Sequence, residues 1–510
     1  MDSREPCYRA APEVRSELRP AFAGADASRF AATGRPNLVS PSSMPTKRKT
    51  VMKGKLSMRA ALALSTFAAL AAQSPAQAGT CTPQWSSSAS SNTSNLQAAI
   101  KSCSASGTSS SPGLVDLTAN NGVSTAVITS VTLASNIVLK LEKGFTLKGS
   151  PNQSADSAML TGSGLSNVTI TGTGAIDGDG QSYWTAAVGG NNTARPKLIA
   201  ITGSNLNIGS NFTDAGKSQS IVSFPTSSNA TDNALIIRNS PKEQLVIESG
   251  SKNVTIDGVW IYANPKRNAS GDDLAPNTDA IDLIGTQTAT VKNCLLDTGD
   301  DDIAIKSNSG GAATSNVNIS QCVVGGGHGI SIGGQEAAGT TLAQPGVSQV
   351  TVSNVQFSGT DYGYRIKTDQ TSKDSGATTG VTYKNTCMRN VQQPFLFTYA
   401  YASGTGGALP IIANVTIDNI IATATKQQGA IVGLSNDLMG VPSSGNTGIT
   451  MTNTRISGGS AFSVTNGELQ LGSHSSVTTS VGTNGTVKPI TSDSGATVSC
   501  PSSITIPAQL

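Results

Sequence analysis

The sequence predicts an all-β fold: a right-handed parallel β-helix (solenoid) with a short N-terminal capping helix. Three observations carry that prediction. Convincing helical periodicity is confined to Ser94–Cys103 and disappears from Leu114 onward. In its place short alternating segments recur: Asn167-Val168-Thr169-Ile170, Asn253-Val254-Thr255-Ile256, Asn316-Val317-Asn318-Ile319, Gln349-Val350-Thr351-Val352 and Asn414-Val415-Thr416-Ile417. Their spacing, with Val291 and Val381 opening similar segments, is mostly about 25 to 35 residues, the length of a coil of three short strands. A β-sandwich also has many short strands, but its strands have no reason to resemble one another.

The chain begins with material outside that pattern. Residues 1–43 look like no domain and read as a start assigned too far upstream, with Met44 or Met52 as the initiator. Residues 44–78 read as a secretory signal peptide. Lys47-Arg48-Lys49 to Arg59 is the basic region, Ala60 to Ala72 the apolar run, and Ala76-Gln77-Ala78 the cleavage site, with cleavage after Ala78. The apolar run is too short and too Ala-rich to span a membrane. The mature chain is then one β-helix domain, 79–510. A solenoid grows by adding coils to one core, so this length needs no second domain.

Charge follows the same division. Of 34 basic and 31 acidic residues, 12 and 5 lie in 1–78, which leaves 22 against 26 beyond Ala78 and a net charge of −4. That balance argues against nucleic acid as a partner. Any attraction for an acidic substrate must come from a local patch.

Taking the mature chain in order, Ser94 is placed to cap a helix whose Leu96, Ala99, Ile100 and Cys103 share one face. The helix is expected to plug the N-terminal end of the solenoid, which would otherwise expose strand edges and core. Six cysteines remain after Ala78, an even number that suggests disulfides in an exported protein. No C-x-x-C occurs, which argues against a zinc site. The expected pairs are Cys81–Cys103 and Cys294–Cys322, with Cys387–Cys500 by elimination. Aligning the segments puts Val259, Cys294, Cys322 and Val355 in one column, with stacked positions about 4.8 Å apart.

Function concentrates between Asn277 and Lys367. Asn277-Thr278-Asp279, Gly299-Asp300-Asp301-Asp302, Gly327-His328-Gly329 and Arg365-Ile366-Lys367 each precede or end a short β-branched segment. Asp279 and Asp300 are 21 positions apart; if that is one coil, their carboxylates are neighbours. Crowded carboxylates cannot all ionise easily, so one is expected to hold a proton. A neutral carboxyl beside an ionised one suits glycosidic cleavage. A solvated turn or a calcium site are the alternatives for Asp300-Asp301-Asp302. His328, one of two histidines, lies about one coil beyond the acids and can hydrogen-bond and tune them. Arg365 and Lys367 point to one face of a strand and repel unless an anion joins them. A carboxylate-bearing ligand would supply it; two independent surface charges are the alternative.

These motifs, in this order, resemble those of the polygalacturonases of glycoside hydrolase family 28. Ile170-Thr171-Gly172-Thr173-Gly174-Ala175-Ile176-Asp177-Gly178-Asp179-Gly180, Trp184, Arg195-Pro196-Lys197-Leu198-Ile199 and Asn239-Ser240-Pro241 are similar to further landmarks of that family. The resemblance implies hydrolysis of polygalacturonate, the de-esterified backbone of pectin, with inversion and without metal or organic cofactor. It implies that Asp300 is the general acid and that Asp279 and Asp301 activate water. His328 would hold the acid in its working protonation state, and Asn277, Arg365 and Lys367 would bind substrate. Two departures suggest a bacterial-type member: Asp302 stands where many fungal and plant members have Cys, and Gly334 where the family often has Ser. The expected product is a secreted monomer with no membrane association after cleavage. Short Gly-rich loops incline towards an open cleft and endo cleavage, with exo action as the alternative. A pectate lyase would leave His328 and the Asp279/Asp300 arrangement unexplained. A β-helical adhesin needs no such set of residues, and a rhamnogalacturonan hydrolase fits less well with His328 and Arg365-Ile366-Lys367 all present.

Overall fold

The fold was obtained as a computed structural model. It describes residues 78–506 apart from 152–157, 189–194, 213–232, 267, 269–273, 308–311, 334–345, 369–376, 402–410 and 492. The leader 1–43, the signal peptide up to residue 77 and Gly334 lie outside the described residues.

Within the described residues 33 strands form one continuous hydrogen-bonded array. Successive coils pair in parallel: Lys252–Asp257 lies on Gln287–Lys292, that on Thr314–Ser320, and that on Val347–Ser353. This is a β-helix, and the vertical pairing excludes a sandwich. Alternate residues point inward. Val254, Ile256, Val291, Val317, Ile319, Val350 and Val352 are all essentially inaccessible and belong to one core running the length of the solenoid. Each such side chain contributes roughly 1.5–3 kcal/mol by leaving water.

The recurring first residue of the segments has a local cause. Asn167, Asn253, Asn316, Gln349 and Asn414 all adopt a left-handed backbone, with φ from 54° to 56°. Asparagine tolerates that conformation and turns the chain into the strand. Its side chain also stacks. Asn167 Nδ2 donates to Asn136 Oδ1 at 2.9 Å, Asn205 to Asn167 at 3.0 Å, and Asn253 to Asn205 at 3.2 Å.

The capping helix spans Ala89–Ser106, longer than expected. Ser94 is inside it; the cap is Ser88, whose hydroxyl accepts from Ser91 N at 3.3 Å. The serine-rich stretch before Ser94 thus supplies the first turn. Leu96, Ala99, Ile100 and Cys103 are buried in the solenoid core as expected. Asn92 adds a polar anchor that the pattern did not reveal, donating to Ser86 O at 3.0 Å and Val127 O at 3.1 Å.

Two of the three expected disulfides are present, Cys81–Cys103 and Cys387–Cys500. Cys294 and Cys322 are free, buried thiols. The column itself is as expected: the registers Trp260↔Leu295, Leu295↔Val323 and Val323↔Gln356 stack Val259, Cys294, Cys322 and Val355. Stacking is the reason the bond does not form. In-register parallel strands hold their Cβ atoms about 4.8 Å apart on parallel vectors, whereas a disulfide needs Cβ atoms about 3.8 Å apart and converging. Each sulfur instead contacts a carbonyl, Cys294 that of Lys292 at 3.1 Å and Cys322 that of Ser320 at 3.3 Å.

The Cys387–Cys500 bond fixes a C-terminal strap that runs back along an outer row. Arg389 Nη2 donates to Pro501 O at 2.9 Å and Ser358 Oγ to Ile504 O at 3.2 Å. Ile504 and Ile506 pack on an outward-facing apolar cluster of Ala175, Ile236, Trp260, Tyr262, Leu295 and Val323. Sequence periodicity missed this cluster because outward positions are expected to be polar.

Candidate active site

Four stacked strands carry the site: Ile281–Ile284, Ile303–Lys306, Ile330–Gly333 and Tyr362–Lys367. Their inward residues Ile281, Leu283, Ile303, Ile305, Ile330, Ile332, Tyr364 and Ile366 are core. Their outward residues form two columns. Asp282, Ala304, Ser331 and Arg365 stack in one; Ile284, Lys306, Gly333 and Lys367 stack in the other. The turns that precede these strands bear the acids and the histidine.

The first coil is 22 residues long at this point, not 21. Ile281 pairs with Ile303, and Ala280 N donates to Asp301 O at 3.0 Å. Counting back two residues, Asp279 stacks on Asp301 rather than on Asp300. Continuing the register, Asp301 stacks on His328 and His328 on Tyr362. Asp300 is one residue out of the column and projects further, with its side chain 22% exposed against 2% for Asp301.

Short polar bonds lock these turns. Thr278 Oγ1 donates to Ala275 O at 2.7 Å and accepts from Gly299 N at 3.0 Å, which ties the Asn-Thr-Asp turn to the Gly-Asp-Asp turn. Gly327 and Gly329 have φ of +58° and +71°, and a Cβ on them would lie 2.4 Å from Asp300 O and 2.2 Å from Tyr362 O. Glycine flanks His328 because the neighbouring coils leave no room for a side chain. Asp302 is fully buried and accepts from Gly329 N at 3.1 Å.

His328 Nδ1 lies 2.9 Å from Asp300 Oδ1 and 3.9 Å from Asp301 Oδ1, with Nε2 3.6 Å from Asp361 Oδ2. Asn277 Nδ2 donates to Asp300 Oδ2 at 3.4 Å. Asn277 Oδ1 accepts from Arg195 Nη2 at 2.6 Å, and Arg195 also donates to Pro241 O at 3.2 Å. The Arg-Pro-Lys landmark therefore reaches the site through Arg195.

Arg365 and Lys367 do share an anion, but it belongs to the protein. Asp301 Oδ1 accepts from Arg365 Nη2 and from Ser331 Oγ, the latter at 2.8 Å, and Asp301 Oδ2 accepts from Lys367 Nζ at 2.8 Å. Ser331 Oγ also accepts from Arg365 Nε at 2.9 Å. Each cation sits over a ring, Arg365 4.5 Å from the Tyr362 centroid and Lys367 4.9 Å from that of Tyr401. The expectation that only a ligand would join the cations is corrected by Asp301.

The carboxyl groups have separate electrostatic fates. Burial raises Asp301, but Arg365 and Lys367 outweigh it and hold the carboxylate far below its usual range. Burial also raises Asp300, but the hydrogen bond from His328 together with the charges of His328 and Lys367 outweighs it, so Asp300 ends below the usual range. Burial, then the neighbouring Asp282, push Asp279 well above it despite Lys306. Burial raises Asp302 as well. The crowding argument thus holds for the cluster, but the raised members are Asp279, Asp282 and Asp302, not the proposed acid Asp300.

One group among the described residues presents three metal-type donors close together: Asp300, Asp301 and His328. It fits a calcium ion poorly. Both Asp301 oxygens already accept from cationic groups, and Arg365 and Lys367 would repel a metal bound there. Sequence reasoning missed Arg195 as a contact of the site, and also Ser331, Asp361, Asp282 and Lys306. Ser331, Asp282 and Lys306 carried a signal, being polar residues at outward positions of otherwise apolar strands.

Residues 206–475 match the family model described as "Glycosyl hydrolases family 28". The chain is 28% identical over 352 residues to an endo-polygalacturonase of Pectobacterium carotovorum subsp. carotovorum, covering 64% of this chain and 76% of the relative. It is 32% identical over 304 residues to a polygalacturonase of Chamaecyparis obtusa, covering 57% of this chain and 50% of the relative. Its fold is that of a polygalacturonase from Erwinia carotovora ssp. carotovora, with a TM-score of 0.57 at 22% identity over 81% of this chain and 96% of the other. With more than half of its length matched by the family model, the chain belongs to the glycosyl hydrolases of family 28.

Proposed function

We propose that the chain is a secreted polygalacturonase that hydrolyses α-1,4-galacturonosidic bonds of de-esterified pectin by a single, inverting displacement. The observation that carries this reading is the charge balance beside the acids. Arg365 and Lys367 share one internal carboxylate, Asp301, so these two cations together carry one charge more than Asp301 neutralises. A neutral sugar makes no use of it, whereas a galacturonate carboxylate does. Relatives that carry the names polygalacturonase and endo-polygalacturonase support the same substrate and endo cleavage.

In this reading Asp300 is the general acid. Free of ligand, its bond to His328 favours the ionised form. An entering galacturonate brings negative charge and excludes water, and both raise the affinity of Asp300 for a proton. The acid then gives that proton to the glycosidic oxygen as the bond breaks. A water held by Asp279 and Asp301 attacks the anomeric carbon from the opposite face and gives its proton to Asp279. Asn277 orients Asp300 and contacts the sugar. Asp301, held by three donors, positions the water more than it takes a proton. Signal cleavage after Ala78 and a monomer without nucleic-acid or membrane partners complete the reading.

The test is product sizing on polygalacturonate over time. Endo hydrolysis gives a fall in viscosity well ahead of reducing-end release. Release of monomers or dimers alone would establish exo action. An unsaturated, ultraviolet-absorbing product that vanishes with chelator would replace hydrolysis by a lyase.

A further inference from the structure

Lys306 ends the second site strand and is absent from the chemistry described so far. Its column neighbours are Ile284 below and Gly333 above. Only glycine fits at 333, where a Cβ would lie 2.1 Å from Lys367 O, so no side chain at that position covers the lysine. The side chain is 15% exposed and runs back towards the previous coil, with Nζ 3.0 Å from Asp282 Oδ2 and 3.4 Å from Asp279 Oδ2. Asp282 is 2% exposed, and its Oδ1 is buried without a hydrogen-bond partner. One cation therefore serves two buried carboxylates, one of which faces the proposed water.

We propose that Lys306 is a positioning residue of the reaction: its ammonium, shared between Asp279 and Asp282, holds the buried pair to a single proton and so keeps one carboxylate of the pair free to accept from the water. The inference rests on the reading of Asp279 as the base. Other charges act on the pair from every side. Asp300 and Asp301 face Asp279 from the next coil, and Glu243 faces Asp282 from the turn before Leu245–Ile247. All three are acidic and oppose ionisation of the pair. Lys306 is the cation that favours ionisation of both carboxylates. Val246 and Ala304, the strand neighbours of Asp282, are apolar and offer it no hydrogen bond. Without the lysine, burial and three like charges would leave both carboxyls protonated at working pH, and the water would have no acceptor.

The experiment is the pH dependence of kcat/KM on polygalacturonate for the mature enzyme and three variants. Lys306→Met removes the charge at similar volume and is expected to move the acid limb upward by at least one pH unit. Asp282→Asn removes a negative neighbour and is expected to move the same limb downward. Lys306→Arg keeps the charge and is expected to restore most of the parent profile. A merely structural lysine would lower the plateau and leave the limb in place; that result, or shifts of one sign in both neutral variants, overturns the proposal. If the parent does not hydrolyse polygalacturonate, the functional reading fails by itself. Difference infrared spectra across a pH titration still report the buried carboxyl proton. Its band must persist to higher pH in Lys306→Met than in the parent, and an unchanged titration overturns the proposal.

Discussion

Replacing Arg365 by alanine is expected to weaken substrate binding and also to destabilise the fold, with a pH signature that identifies the cause. Asp301 Oδ1 keeps Ser331 Oγ at 2.8 Å and Oδ2 keeps Lys367 Nζ at 2.8 Å, but the guanidinium that bonds both Asp301 and Ser331 is gone. Both ionic partners are almost inaccessible, so solvent does not take the place of the lost bonds. Truncating one partner of such a buried pair costs about 3–5 kcal/mol. The sign follows from linkage. The folded-state pKa of Asp301 is depressed, so its contribution to stability is present above the unfolded value of about 3.9 and disappears as pH falls through the folded value. Arg365→Ala raises the folded value and shrinks that contribution. The deficit against the parent is therefore largest near neutral pH and narrows below about pH 4. Guanidinium unfolding of both proteins across that range measures it. An unchanged midpoint at neutral pH, or a deficit that stays constant into acid, would refute the assignment of Asp301 as the internal partner of Arg365.

Other outcomes are expected of the same site. Asp300→Asn keeps the shape of the acid without a catalytic proton and should lose roughly 10²–10⁴-fold in kcat with binding retained; half of the parent turnover would refute the assignment. Gly327→Ala forces a Cβ to within 2.4 Å of Asp300 O in a left-handed backbone, so activity should collapse through displacement of His328 and Asp300, seen as a lower kcat in protein that still melts cooperatively. N-terminal sequencing of exported protein should begin at Gly79. Proton NMR of the first reducing ends should show the β anomer released from the α-linked polymer. An initial α anomer would mean a covalent intermediate.

Much of this was legible in the sequence because the β-helix repeats a simple local rule. Asn at the turn and alternating β-branched residues after it are visible without a structure, and they place the coils. The column of Val259, Cys294, Cys322 and Val355 followed from that alignment alone. Whether the two sulfurs bond did not, because it depends on the direction of the Cβ vectors. The one-residue difference between a 21- and a 22-residue coil was equally invisible, yet it decides which aspartate stacks on Asp279. It also bears on stereochemistry: the carboxylates brought together by stacking are Asp279 and Asp301, and the proposed acid lies outside the column. Ser88 escaped notice as a cap because an outward serine run looks alike whether coiled or helical. Contacts made across many coils, such as Arg195 with Asn277 or the strap with Trp260 and Leu295, carry no periodic signal at all.

In the coils of Asp301, His328 and Arg365 the irregular spacing of the repeats is kept on one side, whereas the coil of Asp279 takes 21 residues from Trp260 to Ile281. From Leu295, Val323 and Gln356 in one sheet to the matching Ile303, Ile330 and Tyr364 of the site strands, the chain takes 8, 7 and 8 residues. That turn carries Asp300, Asp301 and His328. From the site strands onward to the next sheet the lengths diverge: Ile281 to Gln287 takes 6, Ile303 to Ser315 takes 12, and Ile330 to Ser348 takes 18. Extra residues thus enter after each site strand. Entropy permits this, since lengthening a surface loop costs little, about 0.6 kcal/mol per doubling. Before the strand a long insertion occurs once, between Trp260 and Ile281, and it leaves intact the column that Asp279, Asp301 and His328 share. The near-constant turn is therefore a better marker of the coils of Asp300, His328 and Arg365 than the length of the repeat, and Asp279 joins them through strand register and not through turn length.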